Sequence, residues 1–469
     1  MMEEKQQKLS LKREVGLIGA VSLIAGTMIG SGIFMSPQTV ISSIGSTGAS
    51  LVVWASCGVL VILVSFCYAE LGTVIQESGG EYIYILRTSG PVMAFMLAFS
   101  SIIFVRPAGV AGISLSFAQY VVAPFYPECT PPVLIVKFVA AAAIIVLAIV
   151  NCMNVRFSMI VQVFFMVAKV VALVVIIVGG VVLLAKGNTE NFEDSFKNSN
   201  VGINPIGIAL YQGLWSYDGW NNLNYVTEEL KRPEVNLPRA LVIAISLVTG
   251  MYLLVNVSYL TVMTPRELMS STAVAVTWGN KVLGSWGWIM SLAAALSAFG
   301  SLNGTFFSGG RVCFVAAREG HMPDILSMAH VHRLTPSPAL IFTTIISLVV
   351  LIPGDFQSIV NYFSFTAWFF YGVTLSGLIY LKIKKPDLPR PYSVPIVLPI
   401  LVLLVAIFLV LAPIIDQPQI EYLYVALFIL SGAIIYVPFI HFKLCPGVFK
   451  KVTTFLQLFL EVAPAEKNL

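Results

Sequence analysis

Charged side chains are scarce in this sequence: aspartate, glutamate, lysine and arginine together make up 11% of its 469 residues. A soluble protein usually has about 25%. Hydrophobic residues account for 58%, and so much apolar surface cannot be hidden in one or two water-soluble cores. Lipid must therefore be the solvent for most of the chain. The sequence predicts an integral membrane protein.

Other features are missing, and each absence argues against a class of protein. The basic residues stand in short clusters between apolar runs, so no nucleic-acid partner is expected. The sequence has no HExxH pattern for zinc and no recognisable serine–histidine pair, so we expect neither an enzyme nor a cofactor or metal. The polar N-terminus MMEEKQQKLSLKREVG has no cleavage-site pattern and is predicted to be a cytoplasmic tail.

Apolar runs of about 20 residues, the length that spans a bilayer, recur along the chain. Lysines and arginines cluster after every second run, which predicts that both termini are cytoplasmic. We therefore expect an N-terminal tail (1–14), a twelve-helix all-α membrane domain (15–441) and a C-terminal tail (442–469). The candidate spans lie near 15–40, 48–73, 91–124, 132–152, 158–185, 204–229, 238–263, 282–308, 338–353, 358–382, 392–414 and 421–441.

The first span is interrupted at its midpoint by GTMIGSGIF, in which three glycines each weaken a helix by about 1 kcal/mol. The sixth span contains a similar interruption, YQGLWSYDGWNNLNYVTEEL, with Gly213, Asp218 and Gly219 among aromatic residues. Transporters built from two inverted repeats place their substrate at such paired helix breaks. An alternative is that Gly26 and Gly30 form a GxxxG face for close helix packing.

An unwound backbone in the first span offers hydrogen-bonding groups of both kinds. N–H groups at the start of the outer half-helix, together with its dipole, suit a carboxylate. Free carbonyls before the break suit an ammonium group, and the two together describe an α-amino acid. The residues expected to bind it are Thr27, Ile29, Gly30, Ser31, Gly32 and Ile33.

The motifs GTMIGSGIF, AELGT, SGGEYIYIL, DGWNNLNYVTEEL, NLP and AAREGHMP together resemble the light subunits of heteromeric amino-acid transporters. The similarity extends from about Leu11 to the C-terminus. It implies the LeuT-type fold of the amino acid–polyamine–organocation superfamily, a 5+5 inverted repeat with broken helices 1 and 6. The type most resembled exchanges cystine, dibasic and neutral amino acids, followed by the cystine/glutamate type.

The resemblance implies roles for two residues inside the predicted spans. Lys169, in FMVAKVVAL, corresponds to a lysine that takes the place of a sodium ion in sodium-coupled relatives, which implies sodium-independent transport. The alternative is that this lysine reaches the membrane interface with its charged end. Trp215 corresponds to a lid over the substrate.

Arg106 and Asp218 are an unusual combination for this family. Arg106 and Ser301 match the cystine/glutamate type, whereas Asp218 matches the cystine/dibasic type. One interpretation is a structural salt bridge between Arg106 and Asp218. The other is that they bind the carboxylate and ammonium at the far end of cystine. The expected substrates are then cystine and large neutral or aromatic amino acids, with the full dibasic-plus-neutral range as the alternative.

Other modes of transport fit the sequence less well. A channel needs a continuous polar pore, yet the intramembrane charges are few and stand near the two helix breaks. Sodium-coupled symport conflicts with the role implied for Lys169. We therefore expect an obligatory exchanger at the plasma membrane.

Among the six cysteines, only Cys129, in APFYPECTPP, lies in a predicted outer loop. An unpaired cysteine in an oxidising compartment suggests an intermolecular disulfide, although a free thiol is the alternative. The resemblance implies that this disulfide links the chain to a glycosylated heavy subunit with a single span.

Overall fold

The structure, a computed structural model, describes residues 11–30, 32–126, 131–271, 274–352, 356–415, 420–441 and 446–464. Two residues of the predicted sites, Ser31 and Cys129, lie outside these ranges.

Helices form nearly all of the described structure, as the apolar runs predict. Two short strands, β1 (Met328–His330) and β2 (Val462–Pro464), pair antiparallel. The helices are α1 (Leu17–Met28), α2 (Gly32–Ile44), α3 (Thr47–Val74), α4 (Glu81–Ser89), α5 (Pro91–Ser100), α6 (Arg106–Val122), α7 (Val133–Met153), α8 (Val155–Ala185), α9 (Ile203–Ser216), α10 (Pro233–Val262), α11 (Pro265–Ser270), α12 (Val274–Val282), α13 (Trp288–Arg318), α14 (Ser337–Leu351), α15 (Phe356–Lys384), α16 (Val397–Ile415), α17 (Ile420–Tyr436) and α18 (Pro446–Leu460).

Nine helical segments in the described part of the chain are long and apolar enough to cross a membrane, or ten when α1 and α2 count as one bent span. The sixth and ninth expected spans correspond to shorter helices, α9 with 14 residues and α14 with 15. The prediction of an all-α, multi-pass membrane protein is confirmed, whereas the count of twelve spans and the 5+5 repeat stay predictions.

Both predicted helix breaks are present. The axes of α1 and α2 differ by 42° across the break. The second break begins where α9 ends, and the chain continues through a turn into a 3-10 helix over Asn222–Glu229.

Two of the glycines expected at the breaks lie inside helices instead. A Cβ at Gly26 of α1 would lie 2.3 Å from the side-chain nitrogen of Gln162, and one at Gly213 of α9 would lie 2.6 Å from the sulfur of Cys57. These two glycines therefore allow neighbouring helices to approach closely, which is the packing role that was the alternative for Gly26.

A short helix that the sequence analysis did not predict, α4, contacts the second break. The backbone N–H groups of Gly79 and Gly80 donate to the carbonyls of Tyr225 and Asn224, at 3.2 and 3.1 Å. Both glycines have positive φ, which L-residues rarely adopt. This turn holds the first residue of α4, Glu81, against the second broken segment.

The 3-10 segment is also fixed to α13 by ion pairs. Arg311 of α13 donates to both carboxylate oxygens of Glu229, at 2.6 and 2.9 Å, and both side chains are 0% exposed. Arg318 makes a similar pair with Glu228. A buried charge without a partner is costly, so the loss of one residue of either ion pair should destabilise the protein.

We predict that Arg311→Gln destabilises the protein by about 3–5 kcal/mol, because it leaves the Glu229 carboxylate buried and unpaired. Thermal unfolding of the detergent-solubilised protein measures this as a lowered Tm. The double variant Arg311→Gln/Glu229→Gln should recover much of the loss, and Arg266→Gln, at an exposed position, is the matched control. A Tm of the single variant equal to that of the control would contradict the prediction.

Candidate functional site

Lys169 lies at the first break with only 1% of its surface exposed. Its ammonium group donates to the carbonyl oxygens of Gly26, Ile29 and Ser297, the last two at 2.7 and 3.1 Å. These three carbonyls surround a positive charge as they would surround a bound metal cation. The ammonium group stays inside the protein, so the alternative in which Lys169 reaches the membrane interface does not apply.

The remaining carbonyls at the break have protein partners too. The Ser301 hydroxyl donates to the carbonyl of Thr27 at 2.8 Å. The hydroxyl of Tyr252 lies 2.6 Å from the carbonyl of Met28 and 2.7 Å from that of Ser216, so it connects the two broken segments. The carbonyls expected to be free for a substrate ammonium thus already accept hydrogen bonds from protein donors in this conformation.

The two breaks pack directly against each other. A Cβ added at Gly32 would lie 2.8 Å from the Cα of Ser216, and one at Gly219 would lie 2.5 Å from a methyl carbon of Thr27. Gly219 also has φ +98°, which favours glycine. Gly32 and Ile33 open α2, where backbone N–H groups have no partner within the helix. The predicted carboxylate donors are therefore at the junction of the two broken segments.

Next to this junction lies a cavity of about 20 Å³, which is the candidate site for the side chain of a substrate. It has room for about one water molecule. The Trp215 and Phe363 rings meet edge to face at 5.2 Å, and the Asp218 carboxylate accepts a hydrogen bond from the Gly219 N–H. A carboxylate among aromatic rings suits a cation. The lining residues are Leu214, Trp215, Asp218, Trp220, Phe363, Ser364, Ala367, Trp368 and Tyr371.

Arg106 opens α6 directly after a π-helical turn, Ser101–Val105. Pro107 has no N–H to donate to the preceding turn, which favours such a widening. The Arg106 guanidinium carbon lies 4.5 Å from the centre of the Tyr225 ring. Arg106 interacts electrostatically with Asp218, but within the described residues the two side chains form no direct ion pair. The interpretation of Arg106 and Asp218 as a structural salt bridge therefore does not hold in this conformation.

Comparison with known proteins identifies the family of this chain. The family model described as "Amino acid permease" matches residues 15–439. The chain belongs to the amino acid permease family. It is 50% identical to the b(0,+)-type amino acid transporter 1 of Homo sapiens, over 100% of this chain and 96% of that protein.

Two further relatives of this permease come from Homo sapiens. The Cystine/glutamate transporter is 42% identical, over 99% of this chain and 93% of its own. The Large neutral amino acids transporter small subunit 2 is 41% identical, over 96% and 84%. The resemblance to light subunits of amino-acid transporters, and the prediction of an amino-acid transporter, are confirmed.

Three residues of the permease near the site were not predicted from the sequence: Glu81, Tyr252 and Ser297. Glu81 belongs to the quoted motif SGGEYIYIL, so a signal for it existed. Tyr252 and Ser297 contact carbonyls of the first break from positions more than 200 residues away along the chain. No local pattern indicates such contacts.

We predict that Gly219→Ala reduces amino-acid uptake at least about tenfold, because the new methyl group meets Thr27 and alanine is strained at this φ. The control is Gly250→Ala in α10, where a Cβ has nothing within 4 Å. Uptake is divided by surface abundance for each variant. Normal uptake by Gly219→Ala would show that the two breaks need not touch during transport.

Proposed function

We propose that this permease is a sodium-independent, obligatory amino-acid exchanger for cystine and large neutral or aromatic amino acids. The observation that carries the proposal is the position of the Lys169 ammonium between the carbonyls of Gly26, Ile29 and Ser297. A covalently attached cation fills the site that a coupling sodium ion would need. Transport then depends on exchange of substrates rather than on a sodium gradient.

The substrate's backbone groups bind at the junction of the two breaks. Its carboxylate accepts hydrogen bonds from the N-terminus of α2, at Gly32 and Ile33, with Ser31 as a further proposed donor. Its ammonium group replaces a protein donor at one of the carbonyls between Thr27 and Gly30. Every α-amino acid carries these two groups, so this part of the site does not select among side chains.

The side chain extends into the aromatic cavity. Because the cavity has room for about one water molecule, Trp215 must move when a large substrate binds, as a lid would. Arg106 and Asp218 supply one charge of each sign, which matches the carboxylate and ammonium at the far end of cystine. Large neutral side chains pack against the rings instead.

A second candidate is exchange over the full range of dibasic and neutral amino acids. The observation that favours it is the Asp218 carboxylate among the rings of Trp215, Trp220, Trp368 and Tyr371. Carboxylates and aromatic faces both attract cations. The relative at 50% identity is named a b(0,+)-type transporter, which agrees with either range.

We predict that labelled leucine enters cells in sodium-free medium only when an unlabelled amino acid is present inside. The cells express this chain with each candidate heavy subunit. The variant Lys169→Gln should lose most of this uptake, because it removes the charge that the break carbonyls surround, and Lys186→Gln, at an exposed position, is the control. Uptake that requires sodium, or that ignores the internal amino acid, would contradict the proposed exchange.

The protein is also proposed to work as the light subunit of a disulfide-linked heterodimer at the plasma membrane, with both termini in the cytoplasm. Cys129 is the candidate for the link to a glycosylated, single-span heavy subunit. One relative is named a small subunit, which supports the idea of a larger partner. The clusters of basic residues at the proposed cytoplasmic ends support the orientation.

We predict that Cys129→Ser removes the heterodimer band from a non-reducing gel, because the interchain sulfur is lost. Cys152→Ser is the control, since Cys152 is a partly buried free cysteine of α7. If the heterodimer band persists in Cys129→Ser, the link is not through this residue.

A further inference from the structure

Glu81 lies deep in the molecule, against the segment that follows the second break, and it interacts electrostatically with Asp218 of the cavity. It is the first residue of α4, it is 3% exposed, and it accepts hydrogen bonds from the Asn221 amide and the Tyr225 hydroxyl. Both donors belong to the segment that follows the second break. A buried carboxylate at the start of a helix is stabilised by these donors and by the helix dipole.

Glu81 is connected to Arg106 through Tyr225. The guanidinium of Arg106 lies over the ring of Tyr225, whose hydroxyl donates to Glu81. Arg106 interacts electrostatically with both Asp218 and Glu81, and it makes no direct ion pair with either within the described residues. The single positive charge is thus shared between two carboxylates.

The charges of this cluster do not cancel. With both carboxyl groups ionised, one arginine and two acids leave a net charge of −1 beside the cavity. A net charge buried within a membrane protein is expensive unless an opposite charge joins it. A proton or a cationic group on the ligand can supply this charge, and only the ligand group would distinguish one substrate from another.

We infer that Glu81 is a specificity-determining residue, which holds the charge of Arg106 and so leaves Asp218 to a cationic group of the substrate. This inference rests on the second candidate of the proposed function, exchange over the dibasic and neutral range, because it assigns the side-chain end of the same site to a cationic group. With Glu81 in place, the site accepts arginine and lysine in addition to neutral amino acids. Without its charge, Arg106 neutralises Asp218 and the cavity suits neutral side chains only.

The test compares exchange of labelled arginine with exchange of labelled leucine in cells that express the full chain with a candidate heavy subunit. Wild type should exchange both. Glu81→Gln should lower the ratio of arginine to leucine exchange at least about tenfold, the effect of one lost charge at short range. Glu81→Asp should preserve the ratio, and Glu234→Gln, an exposed acid in α10, is the matched control.

The double variant Glu81→Gln/Arg106→Gln returns the cluster to −1 and should restore arginine exchange. A purely structural role for Glu81 predicts no such rescue. If Glu81→Gln alone fails to reach the cell surface, the double variant decides the test. Arginine exchange by the double variant supports the inference. The inference is overturned if the double variant does not exchange arginine or does not reach the surface.

Failure of the inference differs from failure of the proposed function. If wild type exchanges leucine but not arginine, or if Glu81→Gln leaves the ratio unchanged, Glu81 does not set the charge of the site. If wild type exchanges neither amino acid, the proposed exchange itself is wrong, and the inference is overturned with it.

Discussion

The contact between the Lys169 ammonium and the carbonyls of the first helix break is the interaction on which the rest of the site depends. A helix interrupted within a membrane leaves backbone carbonyls without partners, each at a cost of several kcal/mol in hydrocarbon. Lys169 donates hydrogen bonds to two of these carbonyls and to one carbonyl of α13. The break is therefore tolerated because a buried cation satisfies it, and the cation is tolerated because the break surrounds it with dipoles.

The proposed function divides substrate recognition into two parts. In the proposed function, the junction of the two broken segments binds the groups that all amino acids share. The close packing of this junction depends on Gly32 and Gly219. The proposal leaves discrimination among substrates to Asp218, which lines the cavity, and to Arg106 and Glu81, which interact with Asp218 electrostatically.

Much of this organisation could be predicted from the sequence, because its signals are local. Each of these signals can be recognised within a stretch of about twenty residues: the apolar runs, the paired glycine clusters and the lysine within a span. The partners of the break carbonyls could not be predicted, since Tyr252 and Ser297 come from distant helices. Helix α4 was missed because it is short and polar, and Glu81 was missed with it. Gly26 and Gly213 were misplaced because a glycine for close packing and one for a break look alike in sequence.

A cryo-electron microscopy structure of the transporter with bound cystine would test the proposed site directly. We expect one α-carboxylate of cystine at the N-terminus of α2, its α-ammonium at the carbonyls between Thr27 and Gly30, and the ammonium at the far end beside Asp218. Density for cystine outside this junction, for example in the cavity lined by Gln119 and Trp288, with the junction closed, would contradict this placement.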